Sequence, residues 1–261
     1  MHNPWFGRGE PDQGAAVRLF CLPYAGGSAA AYRGWPALAP GGLQVCPLEL
    51  PGRGGRIGEP PLSRMRPLAD ALAGALAPHL DRPYAVFGHS MGGLLAFELA
   101  RTLRRRELPP PAHLFVSGAA APGTPRNRPP IHGAPDADVL DELRILGGTP
   151  REMLDDEELM ALMLPTLRAD FSLLETYEYR PEPPLGVPLT VFGGTDDPLV
   201  PVRVLDGWRG QSAAGARLRV LPGGHFFVHP AAGEVMAVIA GTLGGYLSRG
   251  LPPQQAGEGG R

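Results

Sequence analysis

Residues 84–99 read YAVFGHSMGGLLAFEL and decide how the rest of the chain is interpreted. The apolar run at the start of this segment is typical of a buried strand, and from Leu94 onward the apolar spacing indicates a helix. Only a few residues separate the two, so Ser90 is expected at the tip of a sharp turn. Gly88 and Gly92 flank it because a Cβ at either position would collide where the strand end meets the helix start.

The turn at 88–92 fits the pattern Gly-x-Ser-x-Gly, in which a serine hydroxyl stands clear of the sheet. The same geometry aims the first amides of the following helix, notably that of Met91, at the group that Ser90 attacks. Because a helix N-terminus favours negative charge, Met91 is predicted to donate one hydrogen bond to an oxyanion. Between a strand and a helix, the pattern predicts a serine hydrolase, which needs a base and an acid from elsewhere in the chain.

The composition is that of an ordinary globular protein and argues against several functional classes. The 261 residues are 43% hydrophobic and 19% charged, with a formal net charge of −2, so no nucleic-acid partner is predicted. No stretch reaches the roughly 18 apolar residues of a membrane span, and no signal-peptide core is present at the N-terminus. A cytoplasmic protein without a membrane partner is therefore expected. Cys21 and Cys46 are interpreted as two buried thiols on neighbouring strands.

Strands and helices alternate along the chain, which predicts the α/β class with a mostly parallel central sheet and helices on both faces. One helical segment, residues 125–184, interrupts the alternation and is predicted to be an inserted lid over the site. The core would then comprise residues 1–124 and 185–249, followed by a disordered tail at 250–261. Within the lid, Pro165 is expected to end a helix.

The loops after the first two predicted strands carry further candidates. The Gly-Gly loop at 23–28 brings backbone N–H groups to a strand end, and the amide of Ala25 is predicted as the second oxyanion donor. The alternative is an ordinary connection between a strand and a helix. Arg53 and Arg56 in the next loop either contact a phosphate or carrier protein or, by default, are solvated. Residues 1–15 are expected to form a loosely held arm.

A serine nucleophile needs a histidine base, and His225 is the candidate because it follows a predicted strand in a Gly-Gly loop. His89 adjoins Ser90 in sequence but is interpreted as a packing residue. His225 and His229 have the spacing of a metal-binding pair on a helix. Since other ligand residues are lacking around them, no metal is predicted.

The acid that orients the histidine is expected in the pair Asp196 and Asp197, at the tip of another predicted strand. Spacing does not decide between them, and Asp197 is preferred. The order Ser90, Asp197, His225 matches that of the α/β-hydrolases. All three residues fall at the carboxyl ends of predicted parallel strands, where such sheets bind their ligands.

Several segments together resemble the type II thioesterases, which are stand-alone enzymes that serve modular polyketide and nonribosomal peptide synthases. They are LPYAGGSA at 22–29, LPGRGGR at 50–56, GHSMGG at 88–93, GGTPREML and LPTLRADFSLLETY within 147–177, GGTDDPLV at 193–200 and PGGHFFV at 222–228. The resemblance covers most of residues 17–247. In one departure, Gly54 and Gly55 stand where the family often has acidic residues after Pro-Gly-Arg.

The resemblance implies an α/β-hydrolase with a helical lid, which removes stalled or wrong acyl groups from the phosphopantetheine arms of acyl- or peptidyl-carrier domains. It implies a triad of Ser90, Asp197 and His225, with oxyanion amides at Ala25 and Met91 and no cofactor. A monomer is expected. Two other interpretations stay open: a general carboxylesterase or lipase, because a triad does not distinguish a thioester from an oxygen ester, and a non-catalytic carrier-binding protein.

Overall fold

The computed structural model describes residues 3–7, 9–126, 128–149 and 151–250. Within these ranges six parallel strands form one sheet in the order β2-β1-β3-β4-β5-β6. The strands are β1 (Val17–Leu22), β2 (Leu43–Pro47), β3 (Tyr84–His89), β4 (His113–Ser117), β5 (Leu189–Gly194) and β6 (Ala216–Leu221). The parallel sheet expected from the alternation of elements is confirmed.

Helices cover both faces of the sheet. Successive strand residues point to opposite faces, so Val86 of β3 packs in one apolar cluster and Phe87 in the other. The cluster around Val86 includes α1 and α2, and the cluster around Phe87 includes α6. The helices are α1 (Met65–Leu76), α2 (Met91–Arg105), α3 (Asp136–Leu146), α4 (Arg151–Leu154), α5 (Glu157–Glu175) and α6 (Ala232–Gly250).

Between β4 and β5 the described residues form three helices, α3 to α5, which have a small apolar core of their own around Val139 and Phe171. The expectation that Pro165 ends a helix is wrong, because α5 continues through it. A proline inside a helix removes a hydrogen-bond donor and costs about 3 kcal/mol. The burial of Leu167, Phe171 and Leu173 on the same helix offsets that cost.

The expectation that residues 1–15 form a loosely held arm is wrong for the described residues around Trp5 and Phe6, which are anchored to the core. Phe6 is buried and forms an antiparallel bridge with Leu48, and the amide of Glu49 donates to the carbonyl of Trp5 at 2.8 Å. The expectation rested on the polar residues of this segment. It failed because burial of the apolar rings of Trp5 and Phe6 against the core stabilises the segment. At the other end, α6 extends to Gly250, and the rest of the predicted tail lies outside the described residues.

The two cysteines are free and buried on the neighbouring strands β1 and β2, as predicted. None of the helices in the described ranges combines the length and apolarity needed to cross a bilayer.

Candidate active site

Ser90 lies at a strained turn between β3 and α2. Its φ of 54° and ψ of −117° lie outside the regions that non-glycine residues favour, at a cost of roughly 1–3 kcal/mol. A Cβ on Gly88 would lie 1.9 Å from the Gly92 carbonyl oxygen, and one on Gly92 would lie 2.3 Å from the Leu22 carbonyl oxygen. The amide of Ser90 donates to the carbonyl of Ser117 at 2.7 Å, which ties the turn to β4.

The imidazole of His225 connects Ser90 to Asp197. Its Nε2 lies 3.0 Å from Ser90 Oγ, and its Nδ1 lies 2.8 Å from Asp197 Oδ2. The other oxygen of Asp197 accepts from the amides of Leu199 and Val200 at 2.9 and 3.0 Å. His225 and Asp197 are both buried. These contacts allow the histidine to take a proton from the serine while the carboxylate stabilises the resulting imidazolium.

Asp197, and not Asp196, reaches the histidine. Asp196 is exposed and accepts a hydrogen bond from the hydroxyl of its neighbour Thr195 at 2.7 Å. The end of β5 lies directly against the loop that carries His225. The backbones are so close that a Cβ on Gly194 would lie 2.5 Å from the Gly223 carbonyl oxygen. This close approach brings side chains from two different loops into hydrogen-bonding distance.

The two predicted oxyanion donors line the same cavity as the serine. Met91 is the first residue of α2, so its amide has no acceptor in the preceding turn of that helix. Ala25 lies in a tight turn after β1, closed by a 2.9 Å hydrogen bond from the Gly27 amide to the Tyr24 carbonyl. Both residues line the same cavity as Ser90 and His225.

That cavity has a volume of about 1520 Å³. It extends from Ser90 to α3, α4 and α5, the three helices that form an insertion between β4 and β5. Much of its wall is apolar, and these side chains come from α2 and from the insertion: Leu94, Leu143, Met153, Met163, Leu167 and Phe171. A long apolar group attached to a carbonyl at Ser90 would fit such a space.

Comparison with known proteins identifies the family. A family model described as the thioesterase domain matches residues 17–241. The chain belongs to the thioesterase family. This assignment confirms the resemblance drawn from the sequence motifs, and members of this family are serine hydrolases that act on thioesters.

Individual relatives of this thioesterase agree over nearly the whole chain. RedJ, a thioesterase from the prodiginine biosynthetic pathway of Streptomyces coelicolor, is 41% identical with a TM-score of 0.84, covering 90% of this chain and 94% of RedJ. The type II thioesterase BorB from the borrelidin biosynthetic cluster is 37% identical with a TM-score of 0.81, covering 90% of this chain and 95% of BorB.

A third relative was found by sequence similarity. Linear gramicidin dehydrogenase LgrE of Brevibacillus parabrevis is 45% identical over 236 residues, covering 89% of this chain and 90% of LgrE. Its name denotes another reaction, so the family assignment rests on the matched thioesterase domain and on the two solved structures.

The remaining histidines near the thioesterase site have structural partners. His89 is fully buried, its Nδ1 lies 2.9 Å from Ser117 Oγ, and its ring packs 5.2 Å from that of His225. Burial holds the pKa of His89 well below its usual value, so the ring is neutral. His229 Nε2 lies 3.2 Å from the Tyr24 hydroxyl. Within the described ranges no group of His, Cys, Asp and Glu side chains is arranged to hold a metal ion.

The default expectation that Arg53 and Arg56 are solvated is wrong, because both are buried. Arg56 pairs with Glu59 at 2.6 Å and covers the ring of Trp5. Arg53 pairs with Asp170 of α5, which is completely buried. Sequence reasoning missed Asp170 because its partners lie more than a hundred residues away, and the only local signal was an aspartate on the otherwise buried face of α5.

Proposed function

We propose that this thioesterase is a type II editing enzyme, which hydrolyses aberrant or stalled acyl groups from the phosphopantetheine arms of carrier domains in polyketide or nonribosomal peptide synthases. The observation that carries the proposal is the chain of contacts from Ser90 Oγ through His225 to Asp197, at one end of a large apolar cavity. BorB, named as a type II thioesterase, and RedJ, from a biosynthetic pathway, support the substrate class.

In the proposed mechanism Ser90 Oγ attacks the thioester carbonyl carbon while its proton passes to His225 Nε2. Asp197 holds the Nδ1–H of His225 and stabilises the imidazolium. The tetrahedral intermediate collapses as His225 gives its proton to the departing phosphopantetheine sulfur, which leaves as the thiol, while the acyl group stays on Ser90 and His225 becomes neutral again. Water then attacks the acyl-enzyme and gives its proton to His225, which returns a proton to Ser90 Oγ as the free acid is released.

The amides of Ala25 and Met91 form the proposed oxyanion hole. Both lie on backbone that is held by close packing, so little reorganisation is needed when charge develops on the carbonyl oxygen. Removal of one such donor costs about 3–4 kcal/mol of barrier in a comparable enzyme. This role depends on backbone geometry, so it is consistent with the tight turn at 24–27 and with the start of α2 directly after Ser90.

Residues 125–184 form the proposed lid, and residues 1–124 with 185–249 form the catalytic core. The apolar side chains of α3 and α5 would hold the acyl chain, while the phosphopantetheine arm of a carrier domain enters from solvent. The enzyme would act in the cytoplasm as a monomer that docks transiently on its carrier.

The decisive experiment measures acid release from carrier proteins loaded with a series of acyl groups. Wild type is expected to release them, whereas Ser90→Ala is expected to be inactive. Ser248→Ala removes an exposed serine of α6 and serves as the matched control. Equal release by wild type and Ser90→Ala would exclude the proposed mechanism.

Two further measurements separate the alternatives. Faster turnover of simple oxygen esters than of matched acyl-pantetheine thioesters would indicate a carboxylesterase or lipase. Failure of Ser90 to react with a fluorophosphonate in folded protein would indicate a non-catalytic carrier-binding protein.

A further inference from the structure

A buried ion pair joins α5 to the loop that follows β2. The guanidinium of Arg53 donates to both oxygens of Asp170, at 2.8 and 2.7 Å, and the two side chains are 5% and 0% exposed. Two parallel hydrogen bonds of this kind fix the geometry as well as the charge. Burial of both charges is costly, and such pairs are often no more stabilising than apolar residues of similar size. Stability alone therefore does not explain this pair.

The same pair also binds the turn that carries Ala25. Asp170 Oδ2 accepts a hydrogen bond from the Gly26 amide at 2.8 Å, and Arg53 Nη1 donates to the Gly27 carbonyl at 3.1 Å. One carboxylate thus holds both the arginine and the backbone of the turn. Gly26 is the third residue of the four-residue turn at 24–27. Its φ of +73° is the left-handed conformation that a type II turn requires at this position.

These contacts fix both peptide units that flank Ala25. In the first unit, the Tyr24 carbonyl accepts from the Gly27 amide inside the turn. A planar trans peptide directs its N–H opposite to its carbonyl, so the Ala25 N–H is directed away from the turn. In the second unit, the Gly26 N–H is held by Asp170. The Ala25 N–H belongs to the first unit, and the second unit is joined to it at the Ala25 Cα, so the hydrogen bond to Asp170 restricts where the Ala25 backbone can move.

Helix α5 sits directly against this turn and against the loop of Arg53. A Cβ on Gly26 would lie 2.6 Å from Leu167 Cδ2, which leaves no room for a side chain. The hydroxyl of Thr166 donates to the Gly52 carbonyl at 2.5 Å. Thr166, Leu167 and Asp170 therefore form one anchoring face on α5.

We propose that Asp170, together with Arg53, is a positioning residue that holds the Ala25 amide in the place required to stabilise the oxyanion. It acts through the backbone of Gly26 and contacts no reacting atom. The inference rests on the proposed function, because it assigns the oxyanion role to Ala25. It also gives α5 a role in catalysis besides lining the cavity.

The test removes the pair without leaving a buried charge. Arg53→Met with Asp170→Leu eliminates both charges and the acceptor for the Gly26 amide. The double variant is expected to fold and to lower kcat about 10- to 100-fold, because small displacements of an oxyanion donor have effects of this order. KM should change less than about twofold, since the binding cavity keeps its apolar wall. The affinity for a trifluoromethyl ketone, whose adduct carries an oxyanion, should fall by the same factor as kcat/KM.

A conservative variant separates the hydrogen bond from the ion pair. Arg53→Met with Asp170→Asn also removes both charges but keeps an oxygen that can accept from the Gly26 amide, so its kcat is expected to stay within about threefold of wild type. The matched control is Glu98→Leu with Arg101→Met, which removes another buried pair whose carboxylate binds the Tyr177 hydroxyl. This control is expected to keep the wild-type kcat.

Wild-type kcat in the folded Arg53→Met, Asp170→Leu variant would overturn the inference, as would a loss confined to KM. An Arg53→Met, Asp170→Asn variant as slow as the Arg53→Met, Asp170→Leu variant would also overturn it, because the Gly26 hydrogen bond would then not be responsible. These results are distinct from failure of the proposed function, which would appear as activity in Ser90→Ala.

Discussion

The ring of Phe226 lies directly against Gly148, so closely that a Cβ on Gly148 would be 2.1 Å from the ring atoms Cε2 and Cζ. Phe226 follows His225 in the sequence, and Gly148 lies between α3 and α4 of the insertion. The ring also packs edge-on against Tyr24, 5.0 Å away between centroids. One aromatic side chain therefore connects the insertion to the loop that carries the histidine.

Gly148→Ala is expected to displace the Phe226 ring and thereby disturb His225. We expect kcat/KM for acyl-carrier substrates to fall several-fold, since small displacements near a reacting group slow the chemical step. Gly133→Ala is the control in the same insertion, because a Cβ there meets open space. Unchanged kinetics in Gly148→Ala would mean that the ring moves without affecting the base.

The two neighbouring aspartates are expected to differ sharply in their effect on activity. Asp197→Asn should lower kcat about 10⁴-fold, because an asparagine favours the wrong tautomer of the histidine. Asp196→Asn should retain nearly full activity, since Asp196 is exposed and its carboxylate accepts from the hydroxyl of the neighbouring Thr195. Steady-state kinetics on one acyl-carrier substrate compare them, and equal losses would contradict the assignment of Asp197.

The stability of the protein is expected to depend on His113 in acid. Burial, with a smaller effect of Arg217, lowers the pKa of His113 from 6.5 to about 4. Between these values the unfolded chain binds a proton that the native state does not, so the free energy of unfolding falls as the pH drops from 6.5 to 4. In His113→Asn this dependence should be weaker by up to about 1.4 kcal/mol per pH unit.

Urea denaturation of wild type and His113→Asn between pH 4 and pH 8 provides the measurement. Above pH 7 His113 is neutral in both the native and the unfolded state, so the two pH dependences should be parallel there. Parallel curves over the whole range would show that His113 does not titrate differently on folding.

Gly54 and Gly55 are expected to respond differently to the same substitution. Gly54 has a φ of +50°, and a Cβ there would lie 2.1 Å from Glu49 Oε2, whereas a Cβ on Gly55 meets open space. Gly54→Ala should therefore lower the free energy of unfolding by about 2 kcal/mol or more, through strain and displacement of the Glu49 carboxylate. Gly55→Ala serves as the control in thermal or urea unfolding. Equal stabilities would show that Glu49 moves aside freely.

The same contact disfavours an acidic side chain at position 54. An acidic side chain at position 54 would meet the carboxylate of Glu49, whose Oε1 accepts from the Ala29 amide at 3.2 Å. A glycine avoids both the collision and the repulsion between like charges.

Local patterns in the sequence correctly predicted the alternation of strands and helices in this protein. The turn at Ser90 was predictable because a strand, a serine between glycines and a helix follow one another within a few residues. His225 and the aspartate pair were recognisable because each follows a strand in a loop with glycine. Local patterns failed at Pro165, since the packing of α5 outweighs its helix-breaking character, and at Trp5 and Phe6, since two aromatic rings anchor an otherwise polar segment.

The sequence by itself determined the α/β class, the strand ends at which the site forms and the family, because these depend on periodicity and motifs within short segments. Only the tertiary structure showed that Asp197, and not Asp196, contacts His225, since adjacent residues differ in where their side chains reach and not in their spacing. It alone brought Arg53 and Asp170 together at the turn of Ala25. Contacts between residues far apart in the chain depend on how whole elements pack, which no local pattern encodes.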